Sequence, residues 1–263
     1  MPQSAQPRRA RDYAAFAGIG LTAGLLSGLF GVGGGTVIVP LLLLLVGFTP
    51  RLAAGTSLAA IVPTASVGVI SYALSGAVAW VPALILAAGA VVGAQLGTKL
   101  LRSIPQVAVR WGFVAFLLVV IVSLFLVIPS REARLELGWL VVGGLIVLGV
   151  VTGVIAGLIG VGGGVIVVPA LMLLFGTSDL IAKGTSLLMM IPTAISGTIA
   201  NVRHRNVDLS AALTIGLAAA ATTALGAWLA TVVDPQLGNI LFAGFLTVIA
   251  VQMALKALRS RGA

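Results

Sequence analysis

The chain has 263 residues, of which 60% are hydrophobic and only 8% are charged. A soluble globular protein carries about 25% charged residues, so this composition cannot cover a water-exposed surface of comparable size. The apolar runs are continuous rather than alternating, which excludes a transmembrane barrel and favours helices that span a bilayer. We therefore predict an all-α polytopic membrane protein.

The charged and reactive residues exclude most chemistry. There is no cysteine, one histidine and only six acidic residues, which excludes thiolate chemistry and leaves little material for acid–base or metal catalysis. We expect no enzyme, no metal and no cofactor. In a membrane protein, a net charge of +9 indicates basic loops that retain helix ends in the cytoplasm, and it does not indicate nucleic-acid binding.

Ten apolar segments follow one another along the chain. Eight approach the roughly 20 residues that cross a bilayer, whereas two, of about twelve residues each, reach only part-way across its core of about 30 Å. The long segments are 13–30, 52–74, 81–100, 111–128, 138–159, 181–202, 209–230 and 236–257. The short segments, 36–47 and 164–175, each follow a glycine cluster.

The chain is an internal repeat. The stretch Gly24–Pro40 recurs as Gly153–Pro169, and the offset is 129 residues at both ends (153 − 24 and 169 − 40). The same offset pairs Gly55-Thr56-Ser57 with Gly184-Thr185-Ser186, and Pro63-Thr64-Ala65 with Pro192-Thr193-Ala194. Two homologous halves follow from so many matches in one register.

The basic residues predict the topology. Lys and Arg collect at both termini and in the 99–110 and 202–208 loops, whereas 75–80 and 231–235 carry none. Placing the basic loops in the cytoplasm puts 75–80 outside and its repeat counterpart inside, so the two halves are predicted to be inverted. The predicted units are a cytoplasmic N-terminus (1–12), a first repeat (13–128), an external linker (129–137), a second repeat (138–258) and a cytoplasmic C-terminus (259–263).

Segments 13–30 and 36–47 must then form a hairpin that turns at the glycine cluster, so that Arg51 returns to the cytoplasmic side. A turn at the bilayer midplane and a turn at the far surface both satisfy the pattern.

Other glycines recur every four residues, a spacing that allows close helix packing. They are Gly20, Gly24 and Gly28, their copies Gly149, Gly153 and Gly157, and Gly89, Gly93 and Gly97.

The two glycine clusters are the strongest site candidates. Dense glycine breaks a helix and permits positive φ, and a broken backbone inside lipid is tolerated only where protein buries it or a polar cavity adjoins it. The helices that follow would point their N-terminal amides at that cavity, which suits an anion; tight packing turns are the alternative. Neither cluster continues into the Lys-Ser or Lys-Thr of a nucleotide-binding loop. The candidates are Gly31, Gly33, Gly34, Gly35, Gly160, Gly162, Gly163 and Gly164.

Hydroxyl residues are the second group of candidates. Thr56 and Ser57 begin one long apolar helix, and Thr185 and Ser186 begin its copy. Their hydroxyls can bond a helix carbonyl or another helix, or they can donate to an oxyanion beside the glycine clusters.

Charged residues complete the predicted site. Lys183 adjoins the second hydroxyl pair, either as a counter-charge for an anion or as a lysine that reaches the membrane interface. All acidic residues fall at predicted helix ends or loops, and none lies mid-helix, where an acid would mark a cation site. Asp179 and Asp234 are expected at solvated helix ends, so their Asn variants should change little. The site therefore favours a negative solute.

The chain resembles the sulfite exporter TauE/SafE family of membrane transporters. The resemblance depends on Gly-Leu-Phe-Gly-Val-Gly-Gly-Gly before Pro40, on its copy before Pro169 and on the paired Gly-Thr-Ser and Pro-Thr-Ala elements, and it covers about 15–257. It implies a multi-pass plasma-membrane exporter of small sulfur-containing anions such as sulfite, sulfoacetate or related organosulfonates.

Alternating access of the two halves around a central anion site is the expected mechanism. An anion channel, or a carrier for an unrelated small carboxylate or oxyanion, is the alternative. The expected partners are a small anionic substrate and the lipid bilayer, with no nucleic acid, and a homo-oligomer remains open.

Overall fold

The computed structural model describes residues 10–100 and 138–259, with isolated positions between 105 and 125. The predicted linker 129–137 and eight of the eighteen residues of the predicted segment 111–128 lie outside the described residues. The first half contains α1 (Ala10–Phe30), α2 (Gly35–Leu41, continued by a π-helical turn, Leu42–Val46), α3 (Pro50–Leu74) and α4 (Trp80–Leu100). The second half contains α5 (Trp139–Ile159), α6 (Gly164–Phe175), α7 (Asp179–Arg203), α8 (Leu209–Val232) and α9 (Pro235–Arg259).

Within this described part, seven helices are long and apolar enough to cross a membrane, while α2 and α6 are short. Large apolar side chains cover the outer face of the bundle; Leu140, for example, is 92% exposed, and Leu84 and Leu213 are more than half exposed. An exposed apolar surface of this extent, on helices long and apolar enough to span a bilayer, is typical of a membrane protein. The structure confirms the predicted all-α polytopic membrane fold.

The repeat is visible in the helix boundaries. α1 and α5 begin and end at equivalent positions, and so do α3 and α7. The local cause is also repeated: the Thr49 side chain accepts the Leu52 N–H before α3, and the Ser178 side chain accepts the Ile181 N–H before α7. Such N-caps satisfy amides that have no partner inside the helix, so they fix where a helix starts.

Helices of the two halves pack against each other at two equivalent interfaces. α1 packs against α8, and its copy α5 packs against α4. The backbones touch at glycines: a Cβ built on Gly24 would overlap the Ala219 carbonyl, and one built on Gly153 would overlap the Ala90 carbonyl. The four-residue glycine spacing therefore serves close helix packing, as predicted.

α3 and α7 cross the centre of the molecule side by side. Leu187 of α7 packs at Gly68 of α3, whereas Leu58 of α3 packs at Gly197 of α7. Since residue numbers rise along one helix as they fall along the other, these two copies of the same helix run antiparallel.

The glycine turns lie in the interior of the bundle. Gly33, between α1 and α2, and Gly162, between α5 and α6, both lie against Ile61 and Met190. These two side chains are near the middle of α3 and α7. Each hairpin therefore turns inside the protein, and the turn does not reach the far surface.

Candidate functional site

Both glycine turns have the left-handed backbone that the sequence predicts. In the first turn φ is +70° at Gly31, +71° at Gly33 and +77° at Gly34. The equivalent residues Gly160, Gly162 and Gly163 have φ of +79°, +82° and +89°. Side chains rarely tolerate this conformation, so glycine is required at these positions.

The turns present helix N-termini to the interior. In α2 the first intrahelical bonds run from the Val37 and Ile38 amides to the Gly34 carbonyl, at 3.0 and 2.9 Å. The amides of Gly35 and Thr36 precede these bonds, and the start of α2 has no side-chain cap. In α6 the equivalent amides, at 164 and 165, precede bonds to the Gly163 carbonyl, again without a side-chain cap.

The two turns adjoin each other. A Cβ built on Gly35 would lie 2.7 Å from the Val161 carbonyl oxygen, and one built on Gly164 would lie 2.7 Å from the Gly31 carbonyl oxygen. Only glycine permits so close an approach of two backbones. The two sites predicted from the sequence therefore form one central region, with the Ile61 and Met190 side chains between the turns.

Each serine lies on a helix face that contacts the other half's turn. In α3, Ser57 stands between Ala54, which contacts Gly160, and Ile61, which contacts Gly162. A spacing of three and four residues places the three side chains on one face of a helix. Ser57 is fully buried and its Oγ has no hydrogen-bond partner within the described structure.

Ser186 repeats this placement in α7. It stands between Lys183, which contacts Gly31, and Met190, which contacts Gly33. The side chain is again fully buried, with no hydrogen-bond partner for Oγ among the described residues. Ser57 of the first half therefore lies on a face that contacts the second turn, and Ser186 of the second half lies on a face that contacts the first turn.

The neighbouring threonines have a different position. The Thr56 hydroxyl accepts the Asp208 backbone N–H at 3.0 Å, and the Thr185 hydroxyl accepts the Ala79 backbone N–H at 3.0 Å. Both threonines thus attach the start of a central helix to a connection of the other half. The serines therefore lie on the helix faces that contact the glycine turns, whereas the threonine hydroxyls bond connections of the other half.

Lys183 and Asp179 form a buried ion pair one turn apart on α7. The Lys183 Nζ lies 3.1 Å from Asp179 Oδ2, and the two side chains are 11% and 2% exposed. The expectation that Asp179 is solvated is therefore wrong. It is at a helix end, as predicted, but that end is covered by protein. Asp234 is exposed and accepts the Gln236 and Leu237 amides at the start of α9.

At the first turn, two buried polar groups escaped the sequence reasoning. Thr36 and Ser27 are fully buried beside the first turn, and neither hydroxyl has a hydrogen-bond partner within the described structure. Thr36 lies inside the repeated motif, but the equivalent residue of the second half is Val165, so comparison of the two copies does not single out Thr36. Asp179 was detectable from its four-residue spacing to Lys183, the spacing of helical ion pairs.

The fold defines a class, the polytopic helical membrane proteins, here with buried polar groups at the centre of the bundle. The sequence matches the family described as Sulfite exporter TauE/SafE over residues 2–124 and 145–263, and the chain belongs to this family. It is a multi-pass membrane transporter.

Curated relatives carry the same kind of name. A "Probable membrane transporter protein" of Xylella fastidiosa (strain 9a5c) is 32% identical over 222 residues, which cover 81% of this chain and 83% of the relative. The "Probable membrane transporter protein YunE" of Bacillus subtilis (strain 168) is 28% identical over 222 residues, with coverage of 75% and 81%. No solved structure matches the chain.

Proposed function

We propose that this transporter exports small oxyanions such as sulfite or organosulfonates across the plasma membrane. The transported anion would bind at the central glycine–serine site, which consists of the turns 31–35 and 160–164 with Ser57 and Ser186. The observation that carries this proposal is the pair of fully buried serine hydroxyls, without hydrogen-bond partners in the described structure, on the helix faces that contact the turns.

The chemistry of these groups favours a negative ligand. A buried hydroxyl without a partner costs about 1–3 kcal/mol, so a ligand that accepts hydrogen bonds gains from meeting it. The uncapped N-terminus of α6 adds amide donors and the positive end of a helix dipole. An oxyanion offers several acceptor oxygens and a negative charge, and it matches both features.

Alternating access is the proposed mechanism. Residues 31–40 and 160–169 are all buried, which corresponds to a conformation closed to both sides. The antiparallel packing of α3 and α7 supports two halves in opposite orientations, because equivalent helices then cross the membrane in opposite senses. Rocking of these halves would expose the central site alternately, with both termini in the cytoplasm.

A thermal-shift screen of the purified full-length protein tests the proposal. Ligands that bind the folded state raise its apparent stability by mass action. Sulfite, sulfate, thiosulfate, organosulfonates and small carboxylates are compared at equal ionic strength. The proposal expects concentration-dependent stabilisation by sulfite or a sulfonate above that by chloride. Stabilisation by carboxylates alone would make small carboxylates the substrate class instead of sulfite or sulfonates. The absence of stabilisation by any anion would contradict the proposal.

A further inference from the structure

The central region is symmetric in its glycines and serines but not in its charges. The residues of the first half that correspond to Asp179 and Lys183 are Pro50 and Ala54. Lys183 and its counterpart Ala54 contact the glycine turns in the same way. A Cβ built on Gly31 would lie 2.6 Å from the Lys183 Cβ, and one built on Gly160 would lie 2.6 Å from the Ala54 Cβ. The ion pair is therefore an addition to one side of a repeated site.

This ion pair is incompletely satisfied. Oδ2 of Asp179 contacts the Lys183 ammonium, while Oδ1 is buried and has no hydrogen-bond partner within the described structure. A buried pair is stable only when the remaining lone pairs find donors, because removing both charges from water is costly. Asp179 gains some support as an acid in the first turn of α7, where the helix dipole favours negative charge.

The other described acids lie elsewhere. Asp12 is near the start of α1 and Asp208 precedes α8. The Asp208 amide binds Thr56, which is at the start of α3, whereas Asp179 is at the start of the antiparallel helix α7. Asp234 is exposed at the start of α9. Among the elements packed on this end of α7, α3 contributes the Tyr72 phenol: the Tyr72 Cβ lies beside Gly184 of α7, and the phenol donates to the Gly28 carbonyl at 2.6 Å.

We propose that Asp179 is an internal competitor of the transported oxyanion: its carboxylate holds the Lys183 ammonium when the site is empty, and the oxyanion displaces it. This inference rests on the proposed function, because it requires an anion at the central glycine–serine site. Lys183 is suited to the exchange, since its stem contacts the first turn while its flexible side chain reaches back along the helix to Asp179.

The competitor has a physical purpose. A buried lysine without a carboxylate would bind an oxyanion tightly and release it slowly. A carboxylate on the same helix is always within reach of the ammonium. It therefore lowers the affinity for the oxyanion and binds the ammonium again when the anion leaves. Binding therefore stays weak enough for transport, while Lys183 still distinguishes anions from neutral solutes.

Calorimetric titration of the purified full-length protein with sulfite and with sulfoacetate tests this role. Asp179→Asn removes the competing charge, and a hydrogen bond to a charged group accounts for roughly 10- to 100-fold in affinity, so we expect binding at least about tenfold tighter. Anion turnover in proteoliposomes should fall, because release slows. The matched control is Asp234→Asn, which should bind and transport as the wild type does.

The double variant Asp179→Asn with Lys183→Gln separates competition from a general change of charge. Tighter binding should disappear in it, and the affinity should equal that of Lys183→Gln alone. If the double variant keeps the tighter binding, the effect does not pass through Lys183 and the proposal is wrong.

Other results would also overturn it. Unchanged or weaker binding by folded Asp179→Asn would make Asp179 a residue that positions Lys183. Asp179→Ser provides a second neutral variant in case the Asn variant does not fold; failure of both to fold would give the carboxylate a structural role and reject the competitor. Failure of the wild type to bind either probe contradicts the proposed function itself, so the two failures are distinguishable.

Discussion

At the scale of single residues, a threonine and the serine that follows it in sequence have different roles. Successive residues in an α-helix point about 100° apart, so Thr56 and Ser57 face different neighbours. The threonine hydroxyl meets a loop amide of the other half, while the serine is on the face that contacts the second glycine turn. The same division holds at Thr185 and Ser186.

The serines should therefore contribute directly to anion binding. Ser57→Ala or Ser186→Ala removes one donor, and a lost hydrogen bond costs about 0.5–1.5 kcal/mol, or about 1.5–3 kcal/mol when the partner is charged. We expect anion affinity to fall by roughly 3- to 100-fold in a titration. Ser66→Ala is the matched control, because the Ser66 hydroxyl already donates to its own helix, at the Val62 carbonyl. Normal binding by both site variants would remove the serines from the site.

The glycine turns should tolerate no side chain. Gly33→Val and Gly162→Val place a β-branched residue at φ of +71° and +82°, and the Gly33 variant also overlaps the Met190 side chain. We expect both variants to reach the membrane but to lose transport in an uptake or efflux assay. Gly76→Val is the control for backbone strain alone, since φ is +67° there but no atom lies within 4 Å of a Cβ. Normal transport by either site variant would mean that its turn is not part of the path.

At the scale of elements, the glycine stripes determine how closely the halves approach. α1 on α8 and α5 on α4 are the most extensive interfaces in the described part of the chain, and both bring backbone against backbone. Lipid supplies no hydrophobic force between membrane helices, so their association depends on such close packing.

A methyl group in these interfaces should lower stability. Gly24→Ala and Gly153→Ala each put a Cβ into a backbone carbonyl, and overpacking costs about 1–3 kcal/mol. We expect lower free energies of unfolding for both variants in denaturant titrations of the solubilised protein. Gly18→Ala is the control in the same helix as Gly24, because nothing lies within 4 Å of its Cβ. Equal stability of all three variants would mean that the glycines do not determine the approach.

The elements were largely predictable from the sequence. Hydrophobic runs and the offset of 129 residues predicted the long helices of the described part, and glycine density predicted the broken hairpins, since these depend on local chemistry. The depth of the turns and the burial of Asp179 were not predictable. Both depend on which helix of the other half covers the residue, and Lys183 meets Gly31 across 152 positions of sequence.

At the scale of the whole molecule, topology is the first prediction. The chain has no cysteine, so single cysteines at Ser75 and His204 give one reactive thiol each, and both residues are exposed. The distribution of basic loops predicts that an impermeant thiol reagent reaches Ser75→Cys from outside and His204→Cys from the cytoplasm. Ser130→Cys, in the predicted external linker, should label together with Ser75→Cys. Labelling of Ser75→Cys and His204→Cys from the same side would contradict the inverted arrangement of the halves.

The central claim is that one interior site, shared by the two halves, carries an oxyanion by alternating access. The most direct measurement is the flux of radiolabelled sulfite or sulfoacetate into proteoliposomes, with and without unlabelled anion inside. We predict a flux that saturates with concentration, accelerates in counter-exchange and is lost in the double variant Ser57→Ala with Ser186→Ala. A flux that rises linearly without counter-exchange, or one that survives in the double variant, would contradict this account.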